Sequence, residues 1–271
     1  MRKFSISPTA MFASLFAHRS LIYQMSKREV VGRYKGSAMG LLWSFFNPVL
    51  MLIVYTFVFS VIFKARWPHV DNNLEFAGIL FAGLIVYSLF SECASRAPSL
   101  ILSNVNYVKK VVFPLEILPW IALGSSLFHA AISILVLLGF MLALSGSLYW
   151  TVVLFPLILT PLLFLTMGLS WMLASLGTYI RDIGQGIGIV VMAMMFLSPI
   201  FYPATAFPDS YSVFFYLNPL TFIIEQFREV LLWGHMPNWE GLGIYFMVSL
   251  FIAWLGFVWF QKTRSGFADV L

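Results

Sequence analysis

Charge is what this sequence lacks. Only 10% of its 271 residues are Asp, Glu, Lys or Arg, while 61% are hydrophobic and the mean hydropathy is +0.90. A soluble domain carries about a quarter charged residues, so a water-soluble globular enzyme is excluded. Disorder is excluded too, because disordered chains are charged and poor in aromatics, and 18% of this chain is Phe, Trp or Tyr. A single cysteine, Cys93, rules out an intrachain disulfide framework and any multi-cysteine metal site. No G-x-x-x-x-G-K-[ST] run is present, so ATP hydrolysis on a phosphate loop is not expected of this chain. H-E-x-x-H and G-x-S-x-G are missing as well. What remains is a polytopic membrane protein. Its net charge of +5 then bears on orientation and the membrane surface rather than on nucleic acid.

The missing charges also mark out the spans. A spanning helix needs about 20 mostly apolar residues, and a charge at the bilayer centre costs roughly 2.5–3.5 kcal/mol or more. Residues 36–63, 76–91, 117–180, 183–208 and 241–261 carry no Asp, Glu, Lys or Arg. Ser145-Gly146-Ser147 divides the longest of these stretches into two. The expectation is an all-α protein with six transmembrane helices, near 41–63, 75–95, 116–143, 151–179, 183–202 and 241–260. Residues 1–40 form an amphipathic and basic N-terminal segment, and residues 41–271 form the spanning domain. Thirteen of the 16 Lys and Arg residues fall on the side of the termini, against Lys64, Arg66 and Arg228 on the other. This bias places both termini in the cytoplasm. No cleavable signal peptide is expected.

Two segments read as lying along the membrane. Ser7-Pro8 is a helix start, and Met11, Phe12, Leu15, Phe16, Ile22 and Met25 follow at helical spacing. The basic stretch from Lys27 to Ser37 comes next; it either fixes topology against anionic lipid or docks a cytoplasmic partner. Residues 203–240 make the longest outer segment. Within it Asn218-Pro219 begins a helix that Gly234 ends. Leu220, Ile223, Ile224, Phe227, Val230 and Leu231 line one face, and Glu225, Gln226, Arg228 and Glu229 the other. The segment is expected to cap the surface or to re-enter and close an exit.

Catalytic or ion-coupling chemistry inside the spans is sparse. Glu92 and Glu116 approach an acid pair, both near the inner face, and His129 is a lone polar group in the third span. Gly184, Gly186 and Gly188 lack the strand–helix context of a nucleotide site and are expected to allow close helix packing. Secondary transporters place ionisable groups at mid-membrane; here mid-span positions carry none, so energy for transport is expected from a partner. Aromatics crowd the first span, Trp43, Phe45, Tyr55 and Phe59 among them. They either face lipid or form a lane of rings for sugar faces. Pro48, Pro156, Pro161 and Pro199 are expected to kink spans.

Arg28-Glu29 and Arg33-Tyr34-Lys35-Gly36-Ser37, followed by Gly40-Leu41-Leu42-Trp43-Ser44-Phe45-Phe46-Asn47-Pro48, resemble the start of the first span in ABC transporter permeases that export polysaccharides. The O-antigen (lipopolysaccharide) branch is the nearest match, with teichoic-acid and capsule exporters as relatives. Asn218-Pro219-Leu220 and the tail from Lys262 to Leu271 fit the same branch. The resemblance implies a homodimer in a bacterial inner membrane, paired with two separate ATPase subunits that bind ATP and Mg. It implies a lipid-linked glycan, on a polyprenyl diphosphate, as cargo. It places a coupling helix near Pro98 to Lys110, with Tyr107, Lys109 and Lys110 as contacts. Arg28, Arg33 and Lys35 become candidates for the diphosphate, since Arg pairs well with phosphate. Tyr202, Pro203, Asn218 and Pro219 become outer-gate candidates. Two rivals stay open: an ABC permease for a drug or lipid, and an intramembrane enzyme acting on lipid-linked sugars.

Overall fold

Local capping chemistry sets the helix starts. Ser7 accepts a hydrogen bond from the Ala10 amide at 3.1 Å, and Pro8 fills the first turn of α1 (Pro8–Ala17). The amphipathic run then breaks at His18, and α2 (Arg19–Arg33) continues it as a second helix. Its buried positions include Ile22, Ser26 and Val30. The structure, a computed structural model, describes residues 5–62, 73–109, 113–203, 215 and 217–271. The further helices are α3 (Trp43–Tyr55), continued by a π-helical turn over Thr56–Ile62, then α4 (Asn73–Arg96), α5 (Val105–Lys109), α6 (Leu118–Ser145) and α7 (Phe155–Tyr179). After them come α8 (Ile183–Phe196), α9 (Pro219–Leu231), α10 (Trp239–Thr263) and α11 (Phe267–Val270). No strand occurs among the described residues.

Among the described residues, five helical stretches are long and apolar enough to cross a bilayer: Gly40–Phe59, Leu74–Ser99, Leu115–Ser145, Trp150–Tyr179 and Trp239–Val270. Each overlaps an expected span, and Gly146, at φ 71°, ends α6 where the Ser-Gly-Ser break is read. The expected span at 183–202 differs. Its helix α8 has 14 residues, about 21 Å at 1.5 Å per residue, well short of the ~30 Å hydrocarbon layer. Pro199 lies in the turn that follows, not inside a helix. Pro156 sits in the first turn of α7, where its missing amide hydrogen costs nothing, whereas Pro48 and Pro161 are interior to α3 and α7.

Contacts define two ends of the bundle. At the basic end, α2 docks on α6: Ser26 donates to the Ile121 carbonyl at 3.1 Å, and a Cβ on Gly124 would meet Ser26 Oγ at 2.5 Å. The C-terminal tail closes on the same end, where Arg264 binds Glu116 and donates to the Phe113 carbonyl at 2.9 Å. Trp171, 1% exposed, donates to the Glu116 carbonyl at 3.0 Å. Cys93 is buried in the core, facing Ser126. At the opposite end, Thr151 donates to the Val230 carbonyl at 2.7 Å and ties α9 to the 3-10 turn Trp150–Leu154 that leads into α7.

Between the ends, α7 and α10 cross at their glycines. A Cβ on Gly168 would stand 2.6 Å from the Ile252 carbonyl oxygen, and one on Gly256 would overlap the Gly168 carbonyl. Small residues let helix backbones approach this closely in membranes. A Cβ on Gly184 would lie 4.0 Å from Pro98 Cβ, whereas one on Gly186 or Gly188 would meet none of the described residues within 4 Å, so the close packing expected of these two is not made among the described residues. Gly256→Ala is therefore expected to cost on the order of 1–3 kcal/mol through overpacking, read as a lower thermal midpoint in detergent. Gly243→Ala, on the same helix in open space, is expected to leave the midpoint unchanged.

Candidate functional site

The last turn of α8 ends among buried carbonyls, and α9 supplies their donors. Asn218 caps its own helix by accepting from the Leu220 amide at 3.0 Å, while its amide group donates to the Met194 carbonyl at 3.1 Å and to Ser198 Oγ at 2.8 Å. Arg228, 1% exposed, donates through Nε to the Ile79 carbonyl of α4 at 2.9 Å. Its other nitrogens donate to the Pro199 carbonyl and, at 3.2 Å, to the Ile200 carbonyl. Tyr202 donates to the Phe196 carbonyl at 2.6 Å. A Cβ on Gly83 would lie 2.8 Å from the Arg228 guanidinium, so α4 leaves room for the group. Burial lowers the Arg228 pKa to about 9, with Glu225 opposing the shift, and the group is a cation at pH 7. Burial likewise raises the Glu225 carboxyl, partly offset by Arg228.

A cavity of about 250 Å³ opens toward the basic end between the end of α2 and helices α3, α4 and α6. Tyr55 and Phe81 form part of an apolar wall, and Asn47, Ser88 and His129 bring polar groups from three helices. Arg33 pairs with Glu92 at its edge, and Arg96 pairs with Glu29 and, at 3.6 Å, with Glu92. Two guanidiniums and two carboxylates leave this cluster with no net charge. Tyr34 OH lies 3.4 Å from His129 Nδ1. Burial raises the Tyr34 pKa and the Arg33 charge opposes it, so the hydroxyl keeps its proton at neutral pH. Such a wall can hydrogen-bond neutral hydroxyls while offering apolar faces. Among the described residues, no three His, Cys, Asp or Glu side chains gather to hold a metal.

The candidate residues separate in space. Tyr55 and Arg33 line the cavity. Phe59, one turn on with its ring 6.5 Å from Tyr55, is outside the cavity lining and packs in an aromatic cluster, stacked on Phe201 at 5.6 Å and near Phe76 at 6.1 Å, beside the turn that Arg228 holds. Phe45 is exposed, edge-on to Phe46, and Trp43 begins α3 outside the cavity lining. Arg28 donates to Tyr107 OH at 3.3 Å, so a diphosphate candidate touches a coupling candidate; Tyr107 also stacks on Phe113 at 4.5 Å. Lys35 is exposed in the turn after α2, Lys109 ends α5, and Lys110 lies outside the described residues. Tyr202, Asn218 and Pro219 join one polar cluster, the Pro219 carbonyl accepting from Tyr245 at 2.9 Å, and Pro203 follows it directly.

One expectation is corrected. Arg228 does not lie on the polar face of α9 with Glu225, Gln226 and Glu229; it shares a stripe with Thr221, Ile224 and Leu231, all buried. That stripe follows from the spacing of seven, four and three residues, a signal that was in the sequence. Glu92 pairs with Arg33 and Arg96, and Glu116 with Arg264.

Residues 20–232 match the family described as ABC-2 type transporter. The chain is 28% identical over 257 residues to the O-antigen export system permease protein RfbA of Myxococcus xanthus, covering 94% of this chain and 96% of that protein. It is 25% identical over 243 residues to the polysialic acid transport protein KpsM of Escherichia coli, covering 88% and 91%. It is 23% identical over 266 residues to the capsule polysaccharide export inner-membrane protein CtrC of Neisseria meningitidis serogroup B, covering 97% and 98%.

Removing the Arg228 side chain strands buried carbonyls, each worth about 1–3 kcal/mol. Arg228→Leu is expected to lower the thermal midpoint and to speed amide hydrogen exchange over residues 194–202. Arg228→Lys, a single point donor in place of a fork, is expected to recover only part of both.

Proposed function

This chain belongs to the ABC-2 type transporter family, and from that membership we propose that it is the transmembrane subunit of an ATP-driven exporter. Its cargo would be a lipid-linked polysaccharide of the O-antigen type, moved across a bacterial inner membrane. The observation that carries this reading is similarity over nearly the whole chain to O-antigen and capsule export permeases. The cavity is consistent with it in chemistry: a neutral polar wall with aromatic faces suits a chain of hydroxylated rings passing through many weak contacts.

The other parts of the reading follow from charge and surface. The basic end would face the cytoplasm, as the bias of Lys and Arg requires. A separate subunit would bind ATP and Mg there, because this chain has no phosphate loop. That subunit would press on α5, and the Arg28–Tyr107 and Glu29–Arg96 contacts would carry the push into α2. A second copy of the chain would cover apolar surface that the monomer leaves open on α3 and α8, including Ile53, Phe57, Ile189, Met192 and Phe196. The diphosphate reading for Arg33 needs its pair with Glu92 to open first. Arg28 and Lys35, exposed beside it, meet an anion at lower cost.

Deletion of the gene should abolish surface glycan, and complementation should restore it; loss of drug resistance with normal glycan would favour a drug permease instead. Tyr55→Ala combined with Phe59→Ala is expected to impair export by several-fold while assembly with the ATPase persists, measured by surface polymer and co-purification. Lys109→Glu with Lys110→Glu is expected to abolish stimulation of the partner's ATP hydrolysis, and unchanged stimulation would count against docking at α5.

A further inference from the structure

A second cavity, about 290 Å³, lies at the opposite end from the basic cluster. It sits between the start of α4, the end of α6 and the residues just after α9. Tyr149, Trp233 and Phe140 give it aromatic walls, and Glu75 and Ser145 give it polar ones. Glu75 makes no hydrogen bond or ion pair with the described residues, so its oxygens are free to accept. Tyr149 is held in place by Gly234: at φ +71° this glycine brings its backbone against the ring, and a Cβ there would stand 2.5 Å from Cδ1. Half of the Tyr149 side chain remains exposed. The cavity floor includes Ile79, whose carbonyl receives Arg228, so the pocket shares a wall with the α8–α9 clamp.

We propose that this pocket is a saccharide subsite at the exit, which takes one neutral or amino sugar unit of the emerging chain and rejects uronic and sialic acids. Aromatic rings with a carboxylate and a hydroxyl at their edge match a pyranose, whose two faces are apolar and whose rim bears hydroxyls. Glu75 accepts from those hydroxyls, or pairs with an ammonium on an amino sugar. The same lone negative charge opposes a carboxylate on an acidic sugar. The identity of the cargo rests on the export reading above, whereas binding of sugar by the pocket does not.

The test uses the full-length chain in lipid nanodiscs and saturation-transfer NMR with three probes: maltotetraose, chitotetraose and tetragalacturonate. The two uncharged oligomers are expected to receive saturation at their ring-face protons, and tetragalacturonate is expected not to. Trp233→Ala should weaken binding roughly tenfold, the scale of one lost aromatic contact, and Trp233→Phe should restore most of it. Glu75→Gln should admit tetragalacturonate. The proposal is overturned if neither uncharged oligomer binds, or if Trp233→Ala and Glu75→Gln leave all three profiles unchanged. Complementation of a glycan-negative deletion strain separates this from the export reading. Restored glycan without oligomer binding removes the pocket alone; oligomer binding without restored glycan removes the export reading and leaves a saccharide site.

Discussion

A helix that stops early leaves carbonyls without donors, and α8 stops just before the buried turn Ser198–Ile200. Its last turn carries the negative end of the helix dipole, which favours a cation. Asn218 and Tyr202 donate to the Met194 and Phe196 carbonyls of that turn. Arg228 lies just beyond it, its planar fork donating to the Pro199 and Ile200 carbonyls of the following turn and to the Ile79 carbonyl of α4. The position of α9 follows from this need more than from its apolar face. An apolar face could slide along α4, whereas a guanidinium bound to Ile79, Pro199 and Ile200 fixes both the depth and the rotation of the helix. Gly83 completes the arrangement by withholding a side chain where the guanidinium lies.

The two ends of the bundle treat charge differently. At the basic end, Arg33 with Glu92 and Arg96 with Glu29 meet in partly exposed pairs, which hold position with modest energy, while Arg264 with Glu116 is a largely buried pair. At the other end the Arg228 guanidinium is buried against the Ile79, Pro199 and Ile200 carbonyls, and removing it strands those backbone groups. One end is therefore held by side chain on side chain, and the other by a side chain on backbone carbonyls.

Much of the architecture was legible because the bilayer punishes charge. Gaps between Lys35 and Lys64, Glu75 and Glu92, and Glu116 and Arg181 outline helices that the structure contains. The Ser-Pro and Asn-Pro caps and the Gly146 stop were equally readable, since each depends on its own backbone. The length of α8 was not. Its charge-free run extends to residue 208, and nothing in hydropathy distinguishes a long span from a short helix followed by a turn. Pro199 carried that information and was open to two readings, kink or stop. Arg228 was misplaced because a charge on an amphipathic helix is assigned to water by default, although its spacing put it with Ile224 and Leu231. The separation of Tyr55 from Phe59 was unreadable for another reason. They share a helix face, with rings 6.5 Å apart, yet one borders a cavity and the other a packed aromatic cluster.

The sole thiol has a practical corollary. Cys93 is 2% exposed, walled in by the core, so a maleimide reagent finds almost no background target on the native chain. Any cysteine introduced at the surface would carry its fluorophore or spin label alone. Distances across the transport cycle are thus accessible without first stripping the sequence of native sulfhydryls.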